Sequence, residues 1–122
     1  YFGKSIAKKN IYKIIIDTKL KYNNKILGLI LARGGSKGIK QKNIINLCGK
    51  PLIAWTIISA LKSKRLTDVI LSTDSLKIAK VGKKFGADVP FIRPSKFAKD
   101  NSSSVDAIEH AIKWLRKIGK NY

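Results

Sequence analysis

A chain of 122 residues suits one modest domain with one core, and a hydrophobic fraction of 44% argues for a globular fold and against a disordered tail. Its 26 Lys and Arg against 7 acids give a net charge of +19, which suggests nucleic acid, anionic lipid or phosphorylated small molecules as partners. Only four of those cations are Arg, so most of the charge reads as solvated surface lysine, and no apolar run approaches the ~18–20 residues of a membrane span.

Residues 1–24 carry six Lys and one Asp and read as a basic extension without the build of a signal peptide. The chain contains no Met, so its start is expected to be processed or clipped. From Lys25 the pattern sharpens. KILGLIL (25–31) is a short apolar run, the mark of a buried strand. A loop with three glycines and four cations follows directly (32–43). Cys48 stands alone, which rules out an internal disulfide, fits a reducing cytoplasmic setting and predicts a small, partly buried hydrophobe.

Pro51 suits the first turn of a helix whose apolar face is expected at Leu52, Trp55, Ile58 and Leu61. DVILSTD (68–74) reads as a second strand. A second helix spans 75–86, capped by Ser75, packed through Leu76, Ile78, Ala79 and Phe85, and ended by Gly86. DVPFI (88–92) is a short third strand. The third helix, 102–119, offers Val105, Ile108, Ala111, Ile112, Leu115 and Ile118 as apolar positions before Gly119.

Strand alternating with helix implies parallel strands covered by helices, with ligands outside the carboxyl ends of the strands. The glycine-rich loop, STD (72–74) and RPSKFAKDNSSS (93–104) all fall there. The loop fits neither of two familiar phosphate motifs. Five positions after Gly34 and Gly35 stand Ile39 and Lys40, where a Walker loop needs glycine; two positions after them stand Ser36 and Lys37, where a dinucleotide fingerprint also needs glycine. An anion nest of backbone N–H groups remains, with Arg33 and Lys42 as clamps at its ends. A surface loop with solvated lysines is the competing reading.

ARGGSKGIKQKN (32–43), GKPLIAWTI (49–57), VILSTDSLKIA (69–79) and RPSKFAKDNSSS (93–104) resemble the N-terminal half of the acylneuraminate cytidylyltransferases, the CMP-sialic acid synthetases and their relatives that use legionaminic or pseudaminic acid. The resemblance covers about residues 25 to 118. It implies a Rossmann-like nucleotidyltransferase α/β fold, truncated after about three strands. It also implies transfer of CMP from CTP to an acidic nine-carbon keto-sugar, with release of pyrophosphate, using Mg²⁺ and usually as a homodimer. Arg33 and Lys42 match phosphate-binding positions and would supply the catalytic positive charge. Gly34, Gly35, Ser36 and Lys37 lie in the same loop, and Leu31 and Ala32 match backbone contacts near the nucleotide. Asn43, Arg93 and Ser104 match positions that recognise cytosine, and Asp74 sits at the pocket mouth.

Family members run longer than this chain, so the sugar pocket, the dimerisation element and the metal ligands are expected outside it. No metal ligand is assigned within it. Asp100 and Asp106 read as loop and helix-start acids, His110 as structural, and Trp55 and Trp114 as core or interface. On the same reasoning residues 1–122 alone are expected to be inactive and poorly folded, leaving Ile108 and Leu115 exposed. Two other classes stay open: an inactive CTP-binding fragment, and a basic nucleic-acid-binding protein, which lacks the usual Arg-rich helix or aromatic platform.

Overall fold

The structure, a computed structural model, describes residues 25–35 and 41–122. The extension 1–24 and residues 36–40, with Ser36 and Lys37 among them, lie outside the described residues. Chain order is β1 (Leu27–Leu31), a 3-10 turn (Lys42–Ile44), β2 (Asn46–Leu47), β3 (Lys50–Pro51), α1 (Leu52–Leu61), β4 (Asp68–Ser72), α2 (Leu76–Lys84), a second 3-10 turn (Ser95–Phe97) and α3 (Ser104–Lys117).

β1 and β4 run parallel, from Leu27 beside Asp68 to Leu31 beside Ser72. Side chains alternate across a strand, so the pair has two faces. On one face Ile30, Ala32 and Leu71 meet Ile53 and Ile57 of α1 and Ile78 of α2. On the other Leu27, Leu29 and Ile70 meet Phe91 and, from α3, Ala111, Trp114 and Leu115. Helices therefore cover both sides of a parallel sheet, as the strand–helix alternation requires. The Tyr122 hydroxyl donates to Asp68 at the start of β4, and burial together with that bond pushes its pKa up to about 12.

The expected third strand shrinks to a single bridge. Asp88 donates its N–H to the Val69 carbonyl (3.0 Å) and accepts from the Leu71 N–H (2.8 Å). Pro90 has no N–H to extend a ladder, and contact resumes at Arg93, whose N–H donates to the Thr73 carbonyl (2.8 Å). The segment still tracks β4 on the side away from β1. It delivers Arg93 to the carboxyl end of the sheet.

The helix boundaries follow the sequence closely. Ser75 caps α2 by accepting the Ile78 N–H (3.2 Å). Ser103 and Asp106 form a reciprocal capping box at the start of α3. Both helices close through a left-handed glycine, Gly86 at φ 102° and Gly119 at φ 83°. In each, the glycine and the residue after it turn back onto the last-turn carbonyls, Ala87 onto Gly82 (3.0 Å) and Lys120 onto Leu115 (2.9 Å).

The buried faces follow it less well. In α1 the core takes Ile53, Ala54 and Ile57, while Leu52, Trp55 and Leu61 are exposed. Leu76, Val105 and Ile118 are exposed too. Ile108 is exposed as expected, but Leu115 is fully buried beneath Ile70 and Phe91. A hairpin absent from the sequence reading joins β2 to β3. It turns on Cys48 and Gly49, at φ 51° and 90°, the paired left-handed residues of a tight two-residue loop. Cys48 is thereby exposed, not partly buried.

Candidate active site

Three segments meet beyond the carboxyl ends of β1 and β4 around a cavity of about 360 Å³. The chain leaving β1 supplies Leu31 and Arg33, the first 3-10 turn supplies Lys42 and Asn43, and the stretch from Arg93 to Ala107 supplies the far wall. Among the described residues four cations line the cavity (Arg33, Lys42, Arg93 and Lys99) against one carboxylate, Asp100. Such a space attracts an anion, and its Ser103 and Ser104 hydroxyls suit a polar, hydrogen-bonding one, whereas the Ser102 hydroxyl already donates to the Lys96 carbonyl (2.9 Å).

Arg93 is the most constrained of the four, with 5% of its surface exposed. Its Nε donates to Ser72 Oγ (3.0 Å), Nη2 to the Ser72 carbonyl (2.7 Å) and Nη1 to the Phe97 carbonyl (3.2 Å). A guanidinium carries five N–H donors, so two have no acceptor among the described residues. All three acceptors are neutral. Burial pulls the Arg93 pKa below its ordinary value; Asp74 opposes that shift, and Arg33 adds to it.

Arg33 pairs with Asp100 (2.8 Å), joining the loop after β1 to the far wall. The pair is partly exposed, so it contributes about 0–1 kcal/mol, and a phosphate can share or replace it at little cost. Asn43 Nδ2 donates to the Arg33 carbonyl (3.2 Å) and fixes that loop from the other side. The Gly34 N–H donates to Asp74 (2.8 Å), so one amide of the expected anion nest already holds a carboxylate of the chain itself.

The cavity gathers Leu31, Arg33, Lys42, Asn43, Arg93 and Ser104 from the sequence-predicted residues. Ala32 does not line the cavity: its side chain is core, and its N–H is committed to the Ser72 carbonyl (3.0 Å). Gly34, Gly35 and Asp74 are not part of the cavity wall, although Asp74 anchors the loop that forms it. Ser72, Lys99 and Asp100 carry roles that the sequence reading did not give them. Ser72 stood in view as the first letter of STD, next to a run singled out for its aspartate.

Asp106 spends its carboxylate on the α3 cap, as a helix-start acid should. His110 lies between the rings of Phe91 (5.1 Å) and Phe97 (5.5 Å), with Nδ1 buried and unpaired. Burial, then Arg93 and Lys96, lower its pKa. Among the described residues no group of three or more His, Cys, Asp or Glu can hold a metal ion. No helix among them is long and apolar enough to cross a membrane.

Residues 27–113 match the family model described as cytidylyltransferase. The chain is 44% identical over 98 residues to the pseudaminic acid cytidylyltransferase of Campylobacter jejuni subsp. jejuni serotype O:23/36 (strain 81-176), a match covering 80% of this chain and 42% of that protein. It is 43% identical over 88 residues to the N-acylneuraminate cytidylyltransferase of Escherichia coli O18:K1:H7, covering 72% of this chain and 21% of that one. The chain therefore spans less than half the length of these relatives. Among solved structures it superposes on a CMP:2-keto-3-deoxy-manno-octonic acid synthetase complexed with CTP at a TM-score of 0.64 and 23% identity, over 78% of this chain and 36% of that one, a likeness of fold. With the family model spanning residues 27–113, well over half of the chain, the chain belongs to the cytidylyltransferase family.

Proposed function

We propose that this chain is the nucleotide-binding part of an enzyme that transfers CMP from CTP to an acidic nine-carbon keto-sugar and releases pyrophosphate. The observation that carries the reading is the convergence of Arg33, Lys42, Asn43, Arg93 and Ser104 on one cavity at the carboxyl ends of β1 and β4. The names of the relatives, which specify pseudaminic and N-acylneuraminic acids, support the sugar class.

In this reading the triphosphate lies against Arg33 and Lys42, with Gly34, Gly35, Ser36 and Lys37 in the same loop and Leu31 and Ala32 beside the nucleotide. Cytosine meets Asn43, Arg93 and Ser104, while Asp74 steadies the mouth. Attack of the sugar hydroxyl on the α-phosphorus builds negative charge on the bridging and leaving oxygens. Arg33 and Lys42 are fixed cations placed to stabilise it, and losing one such contact typically costs ~10²–10³ in rate.

Residues 25–122 form the nucleotide-binding unit in this reading, and 1–24 an extension. Mg²⁺ is expected with the triphosphate, but the residues described do not fit it: Asp74 is held by Gly34 and Asp100 by Arg33. Its protein ligands, the sugar pocket and a homodimer contact are assigned to other parts of the protein. A cytoplasmic setting suits an unpaired Cys48 and a nucleotide substrate.

Calorimetric titration with CTP and ATP, followed by pyrophosphate release with CTP and pseudaminic, legionaminic or N-acetylneuraminic acid, tests the proposal. A preference for CTP and turnover by the complete enzyme with one of these sugars are expected. Equal affinity for the two nucleotides overturns the cytosine assignment, and CTP binding without turnover by the complete enzyme overturns the transferase assignment.

A further inference from the structure

We infer that the Ser72 hydroxyl is a positioning residue for base choice: it fixes the rotation of the Arg93 guanidinium, and through it the discrimination between cytosine and other bases. The inference rests on the reading that Arg93 meets the base.

Ser72 is the last residue of β4 and is fully buried. One position after Leu71, its side chain takes the Ile70 face of the strand pair. Arg93 is brought to the same end of β4 by its own N–H bond to Thr73 (2.8 Å). Ser72 then binds the guanidinium at two points, Oγ to Nε (3.0 Å) and the backbone carbonyl to Nη2 (2.7 Å). The carbonyl is present whatever the side chain. The hydroxyl adds the second point on that edge and, with the longer bond from Nη1 to the Phe97 carbonyl (3.2 Å), restrains rotation about the first.

Recognition of a base edge depends on donor direction, because a misaligned hydrogen bond weakens steeply. Attraction of a polyphosphate depends mainly on charge and distance. Loss of the hydroxyl should therefore affect base choice and leave triphosphate attraction in place. A merely structural role would lower stability and weaken every ligand together.

The test uses Ser72→Ala and Ser72→Thr, with CTP, ATP and inorganic tripolyphosphate as probes in calorimetry, and a thermal melt as control. Ser72→Ala should weaken CTP about tenfold, the scale of one hydrogen bond to a charged group, and leave ATP and tripolyphosphate within about twofold. Ser72→Thr, which keeps the oxygen, should restore the CTP preference. If either variant fails to fold, Ser72→Cys keeps nearly the same volume with only a weak acceptor and should behave as Ser72→Ala does. A full CTP preference in folded Ser72→Ala or Ser72→Cys overturns the inference, as does tripolyphosphate weakening in step with CTP. A parent protein with no CTP preference defeats the proposed function first and this inference with it, so the two failures are told apart by the parent titration.

Discussion

Arg33 and His110 show how far single residues could be read. Arg33 stands between a short strand and two glycines, a pattern that marks it from sequence alone. Its partner Asp100 lies 67 positions away, and no local pattern announces that pair. Arg33→Ala should weaken tripolyphosphate and CTP binding alike, and lower turnover of the complete enzyme by ~10²–10³. Arg33→Lys should rescue only part, since the planar fork is lost. Calorimetry with both ligands checks the first statement, and unchanged tripolyphosphate binding would remove Arg33 from the clamp.

His110 makes a pH prediction. Its pKa is lowered in the fold by burial and by Arg93 and Lys96. The unfolded chain thus takes up the proton first as pH falls below about 6.5. The stability linked to this group is complete above that pH and is lost on acidification towards the lower folded value. His110→Phe fits the same ring contacts and cannot titrate, so its melting temperature should fall less than the parent's between pH 7.5 and pH 5. Parallel curves would show that His110 carries none of the acid sensitivity.

At the scale of elements, caps were legible, the faces of α2 and α3 were legible in part through Ile78, Ala79, Ala111 and Leu115, and the face of α1 was not. Ser75, Ser103 and the terminal glycines act locally, through bonds within a few residues, so the sequence states them directly. The core face of α1 is a tertiary choice. LIAWTIISAL is apolar almost all round, so periodicity cannot say which stripe turns inward, and the sheet selects Ile53, Ala54 and Ile57. The third strand failed for a local reason that was visible, Pro90, combined with a run too short to outlast it. The cavity was legible because it needs only the ends of elements in the right order.

Gly82 carries an element-scale prediction. Alanine in a helix usually stabilises by about 1 kcal/mol over glycine. Here a Cβ at position 82 would collide with the buried Leu71 side chain, where α2 lies against β4. Gly82→Ala should destabilise by about 1–3 kcal/mol. Denaturant unfolding checks it, and a more stable variant would mean that Leu71 has room to move.

The whole molecule carries +19, with 7 acids against 26 Lys and Arg. Self-repulsion of that size works against the compact state and is screened by salt. Melting temperature should rise between 20 and 300 mM sodium chloride, whereas the exposed Lys113–Glu109 pair would contribute little in the opposite direction. A flat or falling trend would show that the lysines are spaced too widely to repel.

The hairpin tip has a practical consequence for anyone counting subunits. Cys48 is the only thiol in the chain and projects into solvent from a turn. Under air, two such tips can join as a disulfide and run as a covalent pair on a non-reducing gel. That oxidised species would pass for the homodimer proposed for the complete enzyme. Sedimentation of Cys48→Ser, beside the parent with and without reductant, separates them: a pair that survives in the serine variant is a folded assembly, and one that vanishes there was made by oxygen.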